Sequence, residues 1–594
     1  MSSTGRRISG IELKCRKKVT VESAELTIND RSHRLGPPNN NVLCADFDPV
    51  PIETSQGSYV LLVKYQSYLW QKSRKVEFKP SEVLNNPQDN EFRKVSGKFE
   101  AVLKLSPVSP DLVGVDAGPL PPTIEGILKQ CPRFRVLVIG KSGVGKSTLI
   151  NHTFGIKNAF AEHDKRGLAD ITKGLISEQN NRFILHDSKG FEQGEDDTLS
   201  VVTKFIEERR NHQDIKEQLH AVWLCFQIPN AEAGQRMMET GMEEFLQKKK
   251  EILGDVPTIF VFTKYDMLTT AVEADLLERG EDYTQADVET KAKQTVEEQC
   301  VEPIKTLTEE TSIPYIAVSK EHRGELGGLI QLTYQKVSEY FGNKPGTATS
   351  AVSTVAVIAQ RVAPDLKIEG SIKVGKERYW QAIFTGRVFF GRSIKDCLRV
   401  IHDDIIGVWN FRDDNKLLLS EEFREMMMNL VDLLDRPMDC PPPHRNETMS
   451  SIRSEAAPLV AFLPITLPFA AGLKLVNWAH NIYKQTTEVQ RNFIAYIADL
   501  TNVLDILFTL TASRSEENLN IRTIKVAYTA YYRSTRRAHV HTQIRECSLT
   551  IFGSSVISAV ETLVRQRYDI DKELAKKIGE VSAGGLKGEE PWYP

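Results

Sequence analysis

The chain has 594 residues, 41% hydrophobic and 26% charged, which is the composition of a folded protein with room for several domains. Lysine and arginine (76) nearly balance aspartate and glutamate (79), so no global field draws the protein to nucleic acid or to an anionic membrane. The 8 cysteines include no CxxC pair, which argues against a zinc knuckle or a disulfide framework. Because no apolar core follows the basic N-terminus, we expect a reduced, cytoplasmic setting.

The first part of the chain, residues 1–105, predicts a β-sandwich. Runs rich in β-branched and aromatic residues, such as SYVLLVKYQSYLW (58–70), are separated by turn signals such as LGPPNNN (35–41). Residues 106–132 are rich in proline and glycine, at least in their first half, and predict a linker.

The middle of the chain, residues 133–342, predicts an α/β fold. Short apolar runs such as FRVLVIG, RFILHD and PTIFVFTK alternate with helical stretches, as in a mostly parallel sheet with helices on both faces. Beyond it, apolar spacing near 3.6 predicts an α-helical region over 343–594. Within that region the polar run 402–404 (HDD) predicts a solvated helix face, because adjacent helical residues point different ways.

The segment GKSGVGKS, residues 140–147, fits the phosphate-loop pattern G-x-x-x-x-G-K-[ST]. Its glycines let backbone N–H groups converge on phosphate oxygens, Lys146 neutralises charge on the outer phosphates, and the Ser147 hydroxyl reaches Mg²⁺. The dipole of the helix that begins here favours the same anion. The residues predicted to contact nucleotide at this loop are Gly140, Ser142, Gly143, Val144, Gly145, Lys146, Ser147 and Thr148.

Two later segments, TKYD and AVSK, each end an apolar strand and predict the base that is bound. The Asp266 carboxylate can accept hydrogen bonds from N1–H and the 2-amino group of guanine, and adenine lacks that donor pair. Lys264 can lie over the purine with its aliphatic stem, and Ser319 can offer its N–H to guanine O6. The predicted base-contacting residues are Thr263, Lys264, Asp266, Ser319 and Lys320.

Between these segments and the phosphate loop, HDSKG (186–190) ends another strand. Asp187 would hold the water shell of Mg²⁺, and the Gly190 amide would meet the γ-phosphate. His186 is interpreted as a packed histidine rather than a catalytic group, because it belongs to the strand itself. Each short motif is weak alone, but in this order and at these strand ends they predict binding of GTP or GDP with Mg²⁺.

With these motifs in place, residues 133–342 resemble the translation-factor-related class of P-loop GTPases, with a G-domain similar to the HSR, AIG and septin groups. The resemblance covers about a third of the chain, and the helical region is similar to the tails of large fungal G-domain proteins. It implies that Thr172, in ADITKG, contacts Mg²⁺ and the γ-phosphate. The implied catalytic residues are Lys146, Thr172 and Gly190, and the implied metal-binding residues are Ser147, Thr172 and Asp187.

One departure from the family pattern bears on activity. Small Ras-like GTPases place a glutamine after the last glycine of this motif, whereas this chain has Phe191, whose ring cannot polarise water. The resemblance therefore implies slow hydrolysis, or help from other groups or from a dimer partner. Our interpretation is a slow, Mg²⁺-dependent GTPase that acts as a nucleotide switch.

Two alternatives stay open. The first is a membrane-associated, self-assembling GTPase that uses the uncharged segment 456–473 and the basic segment 521–545, although a buried helix pair is the favoured interpretation of these segments. The second is a catalytically inactive guanine-nucleotide-binding module. Nucleic acid is a poor candidate partner, since one basic helix without a recognisable fold for it is weak evidence. A homodimer is compatible with the resemblance to GTPases that use a dimer partner, and the sequence does not identify a protein effector.

Overall fold

The structure is a computed structural model, and it divides into two compact units, Met1–Gly118 and Pro119–Pro594, which are described separately below. The residues that it describes are 6–15, 20–28, 31–36, 42–51, 59–67, 70–84, 91–107, 119–157, 171–188, 196–229, 235–280, 282–320, 322–342, 349–385, 388–389, 391–434, 477–484, 486–512, 517–546, 553–565 and 591–592.

The first unit contains two four-stranded antiparallel sheets, with strand orders β4-β1-β8-β7 and β3-β2-β5-β6. Its elements are β1 Arg6–Cys15, β2 Thr20–Ile28, β3 Arg31–Arg34, β4 Val42–Pro51, β5 Tyr59–Ser67, β6 Trp70–Phe78, α1 Pro80–Leu84, β7 Glu91–Ser96 and β8 Phe99–Pro107. Alternate residues point into one core: Leu61 and Val63 are fully buried, while Leu62 between them is 38% exposed.

The second unit is built on a six-stranded sheet with the order β10-β11-β9-β12-β13-β14. Its strands are β9 Phe134–Ile139, β10 Leu175–Ser177, β11 Asn180–Asp187, β12 Ala221–Gln227, β13 Thr258–Thr263 and β14 Tyr315–Val318. The sheet is mixed, because β10 runs antiparallel to β11 while the other neighbouring pairs are parallel. The carboxyl ends of β9, β11, β13 and β14 therefore meet at one edge, and each of these strands leads into one of the sequence motifs.

Helices cover both faces of this sheet, and β9 shows why. Val136 and Val138 pack on one face, and Leu137 and Ile139 on the other, all of them fully buried. The first face packs against α2 Thr123–Gln130, α3 Lys146–Phe154, α10 Arg323–Gly342 and α11 Thr349–Ala359. The second face packs against α4 Asp196–Arg210, α5 Thr240–Gln247, α6 Lys249–Leu253, α7 Tyr265–Glu278, α8 Gln285–Val296 and α9 Glu302–Thr308.

The structure differs from the expected linker at 106–132. Residues 106 and 107 belong to β8, and Thr123–Gln130 forms the helix α2. This helix buries Ile124 and Ile127, three residues apart on one face, against the sheet.

The remaining helices pack around a second apolar core. They are α12 Pro364–Glu377, α13 Tyr379–Thr385, α14 Ile394–Trp409, α15 Glu421–Val431, α16 Thr487–Leu510, α17 Ile521–Tyr532, α18 Thr535–Glu546 and α19 Gly553–Arg565. Among the described residues, α16 alone is long and apolar enough to cross a membrane, but 94% of its apolar window is buried inside the protein. The neighbouring helices therefore already supply its apolar surroundings.

The predicted solvated face at 402–404 is wrong for two of its three residues. His402 is fully buried and Asp404 is only 3% exposed. His402 Nε2 donates to the Leu418 carbonyl oxygen at 2.7 Å, and Nδ1 accepts from Tyr496 Oη at 3.0 Å. Helix α14 packs against other helices on more than one side, so the polar side chains of His402 and Asp404 are buried and not exposed to solvent.

The two segments considered for membrane contact fare differently. Residues 456–473 lie outside the described residues. Residues 521–545 form α17 and α18, in which Arg522, Lys525 and Arg536 are buried. Lys525 Nζ donates to the Pro591 carbonyl oxygen at 2.6 Å, and Arg536 lies 3.3 Å from an Asp505 carboxylate oxygen. These three cations are therefore directed into the protein and not toward lipid headgroups.

Candidate functional site

The phosphate loop owes its path to its glycines. A Cβ atom on Gly140 would lie 2.5 Å from the Cys225 carbonyl oxygen on β12, so only glycine fits between the strands. Gly143 (φ 77°) and Gly145 (φ 100°) adopt the left-handed conformation that side chains disfavour. Helix α3 begins directly afterwards at Lys146, which leaves the first N–H groups of the helix at the loop.

Lys146 and Asp187 meet at the sheet edge, as the sequence predicts. Lys146 Nζ donates to the Gly140 carbonyl oxygen at 2.6 Å and to the Lys141 carbonyl oxygen at 3.2 Å, and it lies 4.0 Å from Asp187 Oδ1. The side chain of the neighbouring Lys141 points elsewhere and pairs with Glu239 at 2.6 Å. The two lysines of one loop are thus distinguished by their partners.

The base loop is tied to the phosphate loop by Thr263. This buried side chain donates from Oγ1 to the Val144 carbonyl oxygen at 2.6 Å and lies 3.2 Å from the Phe226 carbonyl oxygen. Lys264 follows in the left-handed conformation (φ 64°), and its Nζ donates to Gln227 Oε1 at 2.7 Å. Helix α7 then begins, which puts Asp266 in its first turn.

Ser319 shows a contact that the sequence does not predict. Its backbone N–H, expected to face guanine O6, donates to Glu325 Oε2 at 2.6 Å. The Ser319 hydroxyl oxygen accepts a hydrogen bond from the His322 backbone N–H at 3.1 Å. Burial raises the pKa of Glu325 above its ordinary value. Glu325 lies in the first turn of α10, six residues after Ser319.

These loops line one open pocket of about 290 Å³, close to the lower end of the usual range for small-molecule sites. The predicted residues that line it are Gly143, Val144, Gly145, Thr148, Thr263, Lys264, Asp266, Ser319 and Lys320. Sequence reasoning missed His152, which also lines it; the available signal was its position one helical turn after Thr148 on α3. Ser142 lines an adjoining pocket together with Lys141 and Arg236. The motifs therefore converge in space in the way that their order predicts.

Of the predicted switch residues, the structure describes Thr172 but not Gly190. Gly190, and Phe191 beside it, lie outside the described residues. Thr172 is exposed in a turn after the buried Ile171. His186 is fully buried, as predicted, and desolvation lowers its pKa to about 4, which keeps the ring neutral at physiological pH.

The side chains at this edge fit Mg²⁺ by their donor chemistry. In the part of the chain that the structure describes, no group of three or more His, Cys, Asp or Glu side chains could hold a metal ion by itself. An ion here would need hydroxyl and carboxylate oxygens together with phosphate oxygens, which are the hard ligands that Mg²⁺ takes at nucleotide sites. Ser147, Thr172 and Asp187 offer such oxygens.

Comparison with known proteins supports this interpretation of the site. Residues 135–264 match the model of the 50S ribosome-binding GTPase family. Over 82 residues the chain is 37% identical to GTPase Der of Thermosipho africanus (strain TCF52B), a match that covers 14% of this chain and 18% of that protein. Residues 417–574 match a model described as a domain of unknown function, DUF8505. The chain therefore contains a P-loop GTPase domain, which binds GTP and GDP.

Proposed function

We propose that this P-loop GTPase domain hydrolyses GTP slowly with Mg²⁺ and that its GTP and GDP states act as a switch. One observation carries the proposal: the phosphate loop and both base loops line a single pocket of about 290 Å³. A base bound beside Asp266 and a phosphate chain bound along Gly143–Gly145 would occupy the same pocket. The match of the GTPase family model to residues 135–264 supports the same ligand.

The phosphate end suits charge stabilisation. Lys146 already lies between two loop carbonyls and Asp187, so it can exchange these partners for phosphate oxygens with little movement. Bound Mg²⁺ supplies further positive charge to those oxygens. Water then attacks the γ-phosphorus in line, the bond to the bridging oxygen breaks, and GDP and phosphate leave.

Hydrolysis is proposed to be slow because of the residue after the DSKG motif. Phe191 offers no hydrogen bond with which to orient the attacking water. The chain would then rely on the phosphate loop and the amides near it, which stabilise charge but do not activate a nucleophile. A slow reaction keeps the GTP state long-lived, and this is what a switch requires.

We propose that the helical region receives a change at the nucleotide, because it contacts the end of α3. The Arg361 N–H donates to the Thr153 carbonyl oxygen at 2.8 Å, at the end of α3 opposite the phosphate loop. Asn180 Nδ2 donates to the Phe154 carbonyl oxygen at 2.8 Å and to the Ala359 carbonyl oxygen at 2.7 Å. Movement of Thr172 and the Asp187 loop on loss of the γ-phosphate would reach this junction through β11 and α3.

The first experiment tests base selection. Calorimetry should show GDP binding and no comparable ADP binding, because Asp266 can pair only with the guanine donor edge. Asp266→Asn should shift preference toward xanthosine diphosphate, whose 2-oxo group meets the new amide. Asp275→Asn is the matched control, since Asp275 lies on the same helix but is paired with Arg279 and Lys291 at the surface. Equal affinity of the unchanged protein for GDP and ADP would refute the proposal.

The second experiment tests hydrolysis. Single-turnover conversion of GTP should be slow but measurable, and Lys146→Ala should lower the rate by about 100-fold or more, as expected for loss of one charge-stabilising group. Lys141→Ala is the control in the same loop, because this side chain pairs with Glu239 at the surface and not with Asp187. Equal rates for the unchanged protein and Lys146→Ala would favour the inactive-module alternative.

A further inference from the structure

His186 lies at the meeting point of three segments of the GTPase domain. Its ring is fully buried on β11, one residue before Asp187. The Phe205 ring on α4 packs against it with ring centroids 4.7 Å apart. The imidazole nitrogens face two other parts of the chain, and these two contacts define what the ring can do.

The partners of His186 fix one arrangement of its hydrogen. Nδ1 is 2.7 Å from the Ile171 carbonyl oxygen, and Nε2 is 2.9 Å from Arg135 Nη1. A carbonyl oxygen only accepts and a guanidinium only donates, so Nδ1 must carry the hydrogen and Nε2 must accept. Arg135 is itself held, because its Nη2 donates to the Lys216 carbonyl oxygen at 3.0 Å and to Glu217 at 2.9 Å. A flipped ring would lose both bonds, so the ring orientation is fixed.

The chain on the other side of Thr172 is held against the same strand. A Cβ atom on Gly174 would overlap the Ile184 side chain and would lie 3.2 Å from His186 Cε1. The segment therefore approaches β11 more closely than any residue with a side chain allows. Thr172 is thus flanked by two contacts with β11, a hydrogen bond at Ile171 and a close backbone approach at Gly174.

We propose that His186 is a positioning residue: by holding the Ile171 carbonyl it sets the place of Thr172 relative to Asp187. This inference rests on the proposed function, in which Thr172 contacts the γ-phosphate and Asp187 acts near Mg²⁺. Since GDP has no γ-phosphate, the hydrogen bond from His186 should contribute to binding of a GTP analogue and not to binding of GDP. A merely structural histidine would affect both nucleotides alike.

Two conservative substitutions separate the contacts of the ring. His186→Asn keeps an amide near the Nδ1 position, where it can still donate to Ile171. His186→Gln places its amide near the Nε2 position, where it can still accept from Arg135 but no longer reaches Ile171. We expect His186→Gln to weaken binding of a non-hydrolysable GTP analogue by about 3- to 10-fold, the value of one hydrogen bond, with GDP affinity unchanged. His186→Asn should retain most of the analogue affinity.

Equal loss of GDP and analogue affinity in His186→Gln, or equal behaviour of the two variants, would overturn the inference. Gly174→Ala provides a second test at a different residue, because its Cβ would meet Ile184 and the edge of the His186 ring and so displace the segment that carries Thr172. The same analogue-selective loss is expected. Thr172→Ala tests the premise that Thr172 contacts the γ-phosphate. If Thr172→Ala leaves analogue affinity unchanged, the proposed function fails. If Thr172→Ala lowers analogue affinity but His186→Gln and Gly174→Ala do not, only the positioning by His186 is refuted.

Discussion

The hydrogen bond from Thr263 to the phosphate loop makes a quantitative prediction. Thr263→Val keeps the shape of this buried side chain and removes its only donor. The bond to the Val144 carbonyl oxygen, at 2.6 Å, is a normal O–H···O contact, while the 3.2 Å approach to the Phe226 carbonyl oxygen is too long to add much. The loss of one buried hydrogen bond, with a carbonyl left short of its donor, costs about 1–2 kcal/mol.

That cost should appear in nucleotide affinity. The Val144 carbonyl belongs to the peptide whose nitrogen is on Gly145, so a freed carbonyl lets the loop leave the conformation that converges on phosphate. If nucleotide binding has to restore that conformation, a cost of about 1–2 kcal/mol corresponds to an increase of about 5- to 30-fold in the dissociation constant for GDP. Calorimetric titration of GDP into the two proteins measures it directly.

Thr263→Ser is the matched control, because it keeps the hydroxyl and loses only a methyl group. We expect its GDP affinity to stay within about twofold of the unchanged protein, since the hydrogen bond survives. Tight GDP binding by Thr263→Val would refute the reasoning, as would equal weakening by valine and serine. The second result would assign the effect to packing and not to the hydrogen bond.

Three further predictions follow from single contacts. Glu325→Ala frees the Ser319 amide to bind guanine O6, so GDP should bind about fivefold more tightly by calorimetry. Weaker binding would contradict the idea that Glu325 competes with the base for this amide. Burial lowers the pKa of His402 to about 3, so between pH 6.5 and pH 3 the unfolded chain binds a proton that the folded chain does not, and stability falls as the pH drops below about 6.5. His402→Gln should therefore make the fall in thermal midpoint between about pH 6 and 4.5 shallower. An unchanged slope would contradict this. Gly140→Ala should abolish GDP binding because its Cβ would strike β12, whereas Gly126→Ala, with open space around it, should leave binding unchanged.

The parts of the site that the sequence predicts are those set by local rules. The phosphate loop, TKYD and AVSK each combine a short pattern with a strand that ends at it, and parallel strands bring their carboxyl ends to one edge. Convergence of Lys146 with Asp187, and of Val144 with Thr263, therefore needs no knowledge of distant packing.

The parts that the sequence does not predict depend on partners that are remote along the chain. The buried His402 depends on Tyr496, which is 94 residues away, and no local pattern announces that partner. Helix α2 is a different case, because the spacing of Ile124 and Ile127 was visible within a stretch that composition alone classed as a linker.

The helical region is best understood as part of the GTPase unit and not as an appended tail. Asp404 on α14 accepts a hydrogen bond from the Ile124 N–H at 2.9 Å, and thereby caps the start of α2 from a position 280 residues away. Helix α11 packs on the sheet directly, and Arg361 after it holds the end of α3. Helix α3 is thus fixed at one end by the phosphate loop and at the other by the helical region. Because packed elements shift between discrete arrangements and do not bend gradually, a change at the phosphates must either be absorbed by the loops or move this junction.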